Sequence, residues 1–259
     1  ATNSKAEGGA GEKRKADEDS ERLRTLERNV RRLVEDTETV QISEMGTQKF
    51  DSLVRDICRT CIRPVTIPPI TNPASLPAFS WDDRDENQQW ERYLAHLQRL
   101  KFEHAHWMRV TESDFLDTTF RSGGGTLKVT GNTDVALVLN LYARSYVHRL
   151  GALLLVELKK PGSVDKKAVR QTITQLLCQA ISGLDHAPVA LLTDLQDEWH
   201  FFWVREQAGG RPVVHLGQCA RSTATSIIQR LFGSTTDSLD DIPELKARSA
   251  CLNLHDTAA

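Results

Sequence analysis

Apolar residues in the middle of the chain gather into short, nearly continuous runs broken by polar intervals. Residues 135–141, 152–158 and 189–192 are runs of this kind. Their length and composition predict strands buried on both faces. Between the second and third runs, AVRQTITQLLCQA (168–180) reads as a helix, bracketed by Gly162 and Gly183. The glycine turn RSGGG (121–125) leads into a further strand at 126–129. A three-stranded sheet is therefore expected from residues 127–129, 135–141 and 152–158, with 142–149 connecting its last two strands. Residues 198–204 alternate, with Trp199, Phe201 and Trp203 on one face and His200 and Phe202 on the other. That pattern predicts an edge strand packed as core, with stacking on single-stranded bases as its other use. A short strand at 213–216 and a covering helix at 222–232, resting on Ile227, Ile228 and Leu231, complete the pattern.

The N-terminal part is patterned differently. Leu23, Leu26, Val30, Leu33 and Val40 follow a 3-4-3-7 spacing over residues 20–40, which predicts a helix that pairs as a short coiled coil or docks by one face. Phe50, Leu53, Val54, Ile57 and Cys61 mark a second amphipathic helix over 47–62. Pro64, Pro68, Pro69, Pro73 and Pro77 then make residues 63–79 an extended linker and domain boundary, or a strap across the core. Trp90, Leu94, Leu97 and Phe102 predict a long helix within 81–107. The chain thus divides into a disordered tail (1–20), a helical extension (21–62), a proline-rich linker (63–80), an α/β domain (81–232) and a mobile tail (233–259).

Hydrophobic residues are 39% and charged residues 26% of the 259, so a sizeable core is available alongside long polar segments. The formal net charge of −2 offers no global basic field, so any nucleic-acid binding must use a local patch. No run approaches the roughly 18 apolar residues of a membrane span, and no apolar leader opens the chain. A soluble protein without a membrane partner is expected. The five cysteines lack framework spacing, and Cys58 with Cys61 is a single C-x-x-C without a second pair, which predicts reduced thiols in an intracellular setting. Lys13, Arg14 and Lys15 read as a nuclear-localisation cluster or a solvated tail. His104 and His106 do not share a helix face and are expected at the surface.

Charged residues inside the apolar runs carry the chemistry. Asp134 opens one strand, and Glu157 and Lys159 stand two apart at the end of the next, on one face. Placing a carboxylate and an ammonium there costs free energy unless something compensates. A hard divalent cation would compensate, taking Asp134, Glu157 and the Leu158 carbonyl as ligands and keeping several waters. Mg²⁺ is the expected ion, with Mn²⁺ as a substitute. Lys159 would orient a metal-bound water or neutralise charge in the transition state. Lys160, Lys166, Lys167 and Arg170 form a local basic patch beside this point, suited to a nucleic-acid backbone although cations oppose a helix N-terminus.

These residues carry a resemblance. The segment Gly131 to Asp134, the triplet Glu157-Leu158-Lys159 and the helix bearing Gln171 and Gln175 look like the PD-(D/E)XK nuclease superfamily. The stretch VALLTDLQDEWHFFWV (189–204) is similar to the end of the nuclease domain of type I restriction enzyme R subunits. It also resembles the nuclease domains of crinkler-type and retrotransposon-hot-spot-type proteins. Thr133 stands where the family's proline is usual. The resemblance implies an α/β, restriction-endonuclease-like α-β-β-β-α-β core, Mg²⁺ use and phosphodiester hydrolysis. By the resemblance, Asp134 and Glu157 are metal ligands, Lys159 is the catalytic lysine, and Gln171 or Gln175 supports the site. Such families often add an acid from the first core helix, for which Glu112 is the first choice and Asp114 the second, in a helix starting at Thr111.

The expectation is an Mg²⁺-dependent endonuclease acting on nucleic acid, DNA ahead of RNA. Its alternative is an inactive nuclease-fold module that binds nucleic acid or a protein partner. Residues 21–62 are the candidate for self-association or partner binding. A nuclear or cytoplasmic location follows, or an effector role in a host nucleus.

Overall fold

The computed structural model describes residues 20–28, 37–71, 73, 75–122, 125–144, 147–181, 188–206 and 211–233. The cluster Lys13 to Lys15, the helix positions Val30 and Leu33, Gly183 and both terminal tails lie outside these residues. In chain order the N-terminal half holds helix α1 (20–28), strand β1 (Thr37–Gln41), helix α2 (Thr47–Ser52), strand β2 (Cys61–Thr66), helix α3 (Trp90–Leu97) and strand β3 (Ala105–Arg109). Strands β4 (Thr118–Ser122), β5 (Gly125–Thr130) and β6 (Val135–Leu139) follow, then the short helix α4 (Asn140–Ala143) and strand β7 (Ala152–Leu158). Helix α5 (Lys166–Ile181), strands β8 (Val189–Thr193), β9 (Trp199–Glu206) and β10 (Pro212–Gln218), and helix α6 (Arg221–Phe232) close the fold.

Strands β6, β7 and β8 fall where the apolar runs predict them. They sit inside a seven-stranded sheet of order β2-β10-β9-β8-β7-β6-β3, while β1, β5 and β4 make a separate three-stranded sheet. The expected place of residues 127–129 in the main sheet is therefore corrected. Strand β5 pairs with β4 and β1, and β3 takes the place beside β6. Alternation along β7 explains its unbroken apolarity. Leu155 packs on the layer containing α5 and the small sheet, whereas Leu154, Val156 and Leu158 pack on the layer containing α3 and α6. Glu157, next to Val156, is thereby turned toward the α5 side. The elements α3, β3, β6, β7, α5 and β8 run α-β-β-β-α-β, with β7 and β8 parallel and the other neighbours antiparallel.

Several expectations at the N-terminal side are corrected. Val40 is not on a helix: Thr37, Thr39 and Val40 are β-branched, favour extended backbone, and pair in β1 with β5. The second amphipathic helix ends in a π-turn at Leu53–Ile57, and Arg59 turns the backbone left-handed with φ 48°. Cys61 consequently begins a strand and is exposed. Residues 63–66 of the expected linker lie instead in β2, which pairs in parallel with β10. Pro64 is tolerated there because β2 lies at the sheet edge, where a missing N–H donor costs little. Beyond it Ile67, Ile70, Leu76 and Phe79 are buried, so the proline-rich segment is a strap on the same core. The long helix at 81–107 is one short 3₁₀ turn plus α3, and Trp107 lies in β3. Strand β9 runs between β8 and β10 rather than at an edge, and Trp199, Phe201 and Phe202 are fully buried.

Candidate functional site

The site forms where β6 begins and β7 ends. The Thr133 hydroxyl donates to the Val156 carbonyl at 2.8 Å, pinning the turn before β6 onto β7. Asp134 follows, and its Oδ2 accepts the Leu158 amide at 2.7 Å. Glu157, with a side chain only 3% exposed, is held from the other side by α5. Residues four apart on a helix share a face. Gln171 Nε2 thus reaches Glu157 Oε1 at 2.7 Å while Gln175 Nε2 reaches Oε2 at 2.6 Å. Gln175 Nε2 also donates to the Asn132 carbonyl at 3.0 Å, joining helix, strand and turn. Lys159 completes the set: its ammonium lies 2.5 Å from Glu157 Oε1 and 3.0 Å from the Leu158 carbonyl.

Glu86 is the residue that sequence reasoning misses. It lies in the 3₁₀ turn Glu86–Gln89 ahead of α3, whose entry is closed by a capping box between Asp85 and Gln88. Glu86 Oε1 accepts the Lys160 amide at 2.7 Å, and Oε2 lies 3.9 Å from the Lys159 ammonium. The signal in the sequence is Asp85-x-x-Gln88 before an apolar helical pattern. Glu112 is held elsewhere, with Oε1 3.0 Å from His148 Nδ1. Residues 113–116 are a turn rather than a helix, closed by the Asp117 amide on the Asp114 carbonyl. Asp114 instead lines a cleft of about 390 Å³ together with Asp117, Gly131, Asn132 and Gln171, which opens beside Glu157's partner Gln171. Of the basic patch, Lys166 and Lys167 are exposed and Arg170 is half-buried. The opposition to the helix dipole is offset, because Asp165 Oδ1 accepts the Ala168 amide at 2.8 Å and caps α5.

Electrostatics at the centre follow from burial and crowding. Burial, then the Glu157 carboxylate beside it, drives the Asp134 carboxyl from the usual range up to about 8, although Lys159 and the Leu158 amide oppose the rise. Burial alone would pull the Lys159 ammonium down; Glu157 and then Asp134 more than offset it and hold it above the usual lysine range. Burial would also raise the Glu112 carboxyl, but hydrogen bonds from its own amide and from His148 hold it below its ordinary value. A group whose folded pKa is raised binds protons in the native state that the unfolded chain has released. Asp134 should therefore make the metal-free protein lose stability as pH climbs from about 4 to about 8. Asp134→Asn is expected to flatten this decline, read as urea midpoints in EDTA near about pH 5 and about pH 8. An equal decline in variant and wild type would exclude Asp134 as its source.

Asp134, Glu157 and the Leu158 carbonyl are the residues that could hold a hard cation here. Asp134 and Glu157 supply carboxylates, and Glu157 Oε1 and the Leu158 carbonyl already converge on one cation, the Lys159 ammonium. Two carboxylates with a carbonyl suit Mg²⁺ or Mn²⁺, which keep waters in the remaining positions. Among the described residues no three His, Cys, Asp or Glu side chains gather as a metal-binding group.

No protein-family model matches the chain. The chain resembles Crinkler effector proteins. It is 27% identical to Crinkler effector protein 4 of Phytophthora capsici over 183 residues, covering 66% of this chain and 42% of that protein. It is 28% identical to Crinkler effector protein 2 of Phytophthora infestans over 183 residues, covering 66% of this chain and 39% of that protein. Crinkler effector protein 63 of Phytophthora sojae is 32% identical over 102 residues, 38% of this chain. The chain thus spans about two-fifths of the length of the first two Crinkler proteins. No helix among the described residues is long and apolar enough to cross a membrane.

Proposed function

We propose that this chain is the nuclease module of a Crinkler-type effector, hydrolysing phosphodiester bonds with Mg²⁺, in DNA ahead of RNA. The observation that carries the reading is Glu157, a buried carboxylate gripped by Gln171, Gln175 and Lys159 at the end of β7. A structural core has little use for a carboxylate ringed by three fixed donors. The α-β-β-β-α-β order of α3, β3, β6, β7, α5 and β8 supports a restriction-endonuclease-like core. In this reading Asp134, Glu157 and the Leu158 carbonyl hold the ion, with Glu86, from the 3₁₀ turn leading into α3, as the additional acid in place of Glu112. A divalent cation held there would supply Lewis-acid chemistry. Gln171 and Gln175 fix the Glu157 carboxylate so that it does not reorganise during reaction. Lys159 orients the attacking water or neutralises the developing phosphoryl charge. Lys166, Lys167 and Arg170, with Lys160, steer the backbone toward the site.

A second reading has its own support. Lys159 ion-pairs with Glu157 and also takes the Leu158 carbonyl, which suits a module that binds without cutting. Incubating the protein with supercoiled plasmid and single-stranded DNA, in Mg²⁺ and in EDTA, separates the two. Metal-dependent cutting supports the nuclease. Intact DNA that shifts on a native gel supports the binding module, and neither result points to a protein partner. The effector description of the relatives implies action inside a host cell, with a nucleus as the compartment for a DNA substrate.

A further inference from the structure

Arg109 ends β3, two strands from Glu157's strand in the main sheet. It pairs with Val135, the residue after Asp134, and the next amide, Val110, donates to the Asp134 carbonyl at 3.2 Å. Arg109 therefore stands at the same end of the sheet as the carboxylates, on the α3 face rather than the α5 face. Its guanidinium carbon lies 4.7 Å from the centroid of the Trp90 ring, at the start of α3. Among the described residues this guanidinium makes no hydrogen bond and no ion pair. A guanidinium over an aromatic ring is attracted by the ring face and keeps N–H donors for an acceptor. The contrast with other arginines is direct: Arg84 and Arg92 are both spent on Asp82, and Arg149 on backbone carbonyls.

We propose that Arg109, held over the Trp90 ring, is a phosphate clamp for the nucleic-acid strand flanking the scissile bond. It sits on the side opposite the Lys166, Lys167 and Arg170 patch, so the two cationic groups bracket Asp134 and Glu157 across the sheet end. A planar fork with a free edge matches phosphate oxygens in a bidentate manner, which an ammonium does not reproduce. The Trp90 ring pre-organises it, so little side-chain entropy is lost when a phosphate arrives. The clamp rests on the nuclease reading above and reads the phosphodiester backbone common to DNA and RNA.

The test is equilibrium binding of labelled duplex and single-stranded DNA and RNA oligonucleotides to the full chain in EDTA, where no cutting intervenes, over a series of salt concentrations. Arg109→Gln should weaken binding roughly tenfold at low salt and reduce the slope of log K against log salt by about 0.9 on duplex DNA. Arg109→Lys, which keeps the charge but not the fork, should retain the slope while losing part of the affinity; it also serves if Arg109→Gln does not fold by circular dichroism. A folded Arg109→Gln protein that binds with wild-type affinity and slope overturns the clamp while leaving the nuclease reading intact. Wild-type protein that binds none of the oligonucleotides overturns the clamp, while cleavage in Mg²⁺ decides the nuclease reading separately.

Discussion

If the proposed nuclease reading is right, Glu157→Gln should lose metal-dependent cleavage of plasmid DNA by roughly a thousandfold or more, a loss of several kcal/mol of transition-state stabilisation. The substitution keeps the volume and leaves an amide oxygen that accepts from one of Gln171 or Gln175, so the strand end stays packed. It removes the negative charge that would hold the cation and that pairs with Lys159 at 2.5 Å. Glu157→Ala is the harsher version, because it removes the carboxylate acceptor from Gln171, Gln175 and the half-buried Lys159 ammonium, leaving Gln175 and Lys159 only the Asn132 and Leu158 carbonyls. Cleavage rates are measured on protein whose circular dichroism matches wild type. Undiminished cutting by folded Glu157→Gln would end the assignment of this carboxylate as the catalytic centre.

Arg149→Met should destabilise the fold by about 3–5 kcal/mol, or about 10 °C in midpoint. The guanidinium donates to the Asp117 carbonyl and the Thr118 hydroxyl at 2.6 Å each, and to the Cys178 carbonyl at 2.9 Å. Cys178 lies in the last turn of α5, where carbonyls lack helical partners and a cation is favoured. Gln179 reinforces the joint by donating to the Arg149 carbonyl at 2.7 Å. One side chain thus fastens the end of α5 to the small sheet, and burial, the first cause, lowers its pKa without supplying a carboxylate partner at hydrogen-bond distance. Urea denaturation is the measurement. A loss under about 1 kcal/mol would show that these acceptors find water or other donors readily. Because Gln171 and Gln175 sit on the same helix, the variant should also loosen the grip on Glu157.

Much of the Glu157 centre is legible in the sequence because its periods are local. Two residues on a strand put Glu157 and Lys159 together, and four residues on a helix put Gln171 and Gln175 together. Strand β7 is apolar enough to identify, and α5 is long enough to show its period. Glu86 is not legible as a neighbour of Lys159, because the contact depends on where the α3 turn docks against β7. Glu112 illustrates the converse: its Thr-x-x-Asp start signal is real as a turn, yet too few residues follow for a helix, and His148 captures the carboxylate. Arg109 lies just past a stretch (81–107) whose spacing reads as helix, which hides strand β3 and its alignment with Val135.

By itself, then, the sequence determines the apolar strands β6, β7 and β8, the helix α5, and the identity of the charged groups that burial would force into partnership. It also determines a resemblance resting on Asp134, Glu157 and Lys159. Only the tertiary structure decides which sheet β5 joins, that the proline strap at 67–79 belongs to the core, and that Glu86 and Arg109 arrive at the same sheet end. The reason is physical. Periodicity reports which face of an element is apolar, whereas strand order and docking depend on packing between elements far apart in the chain, which no local pattern encodes.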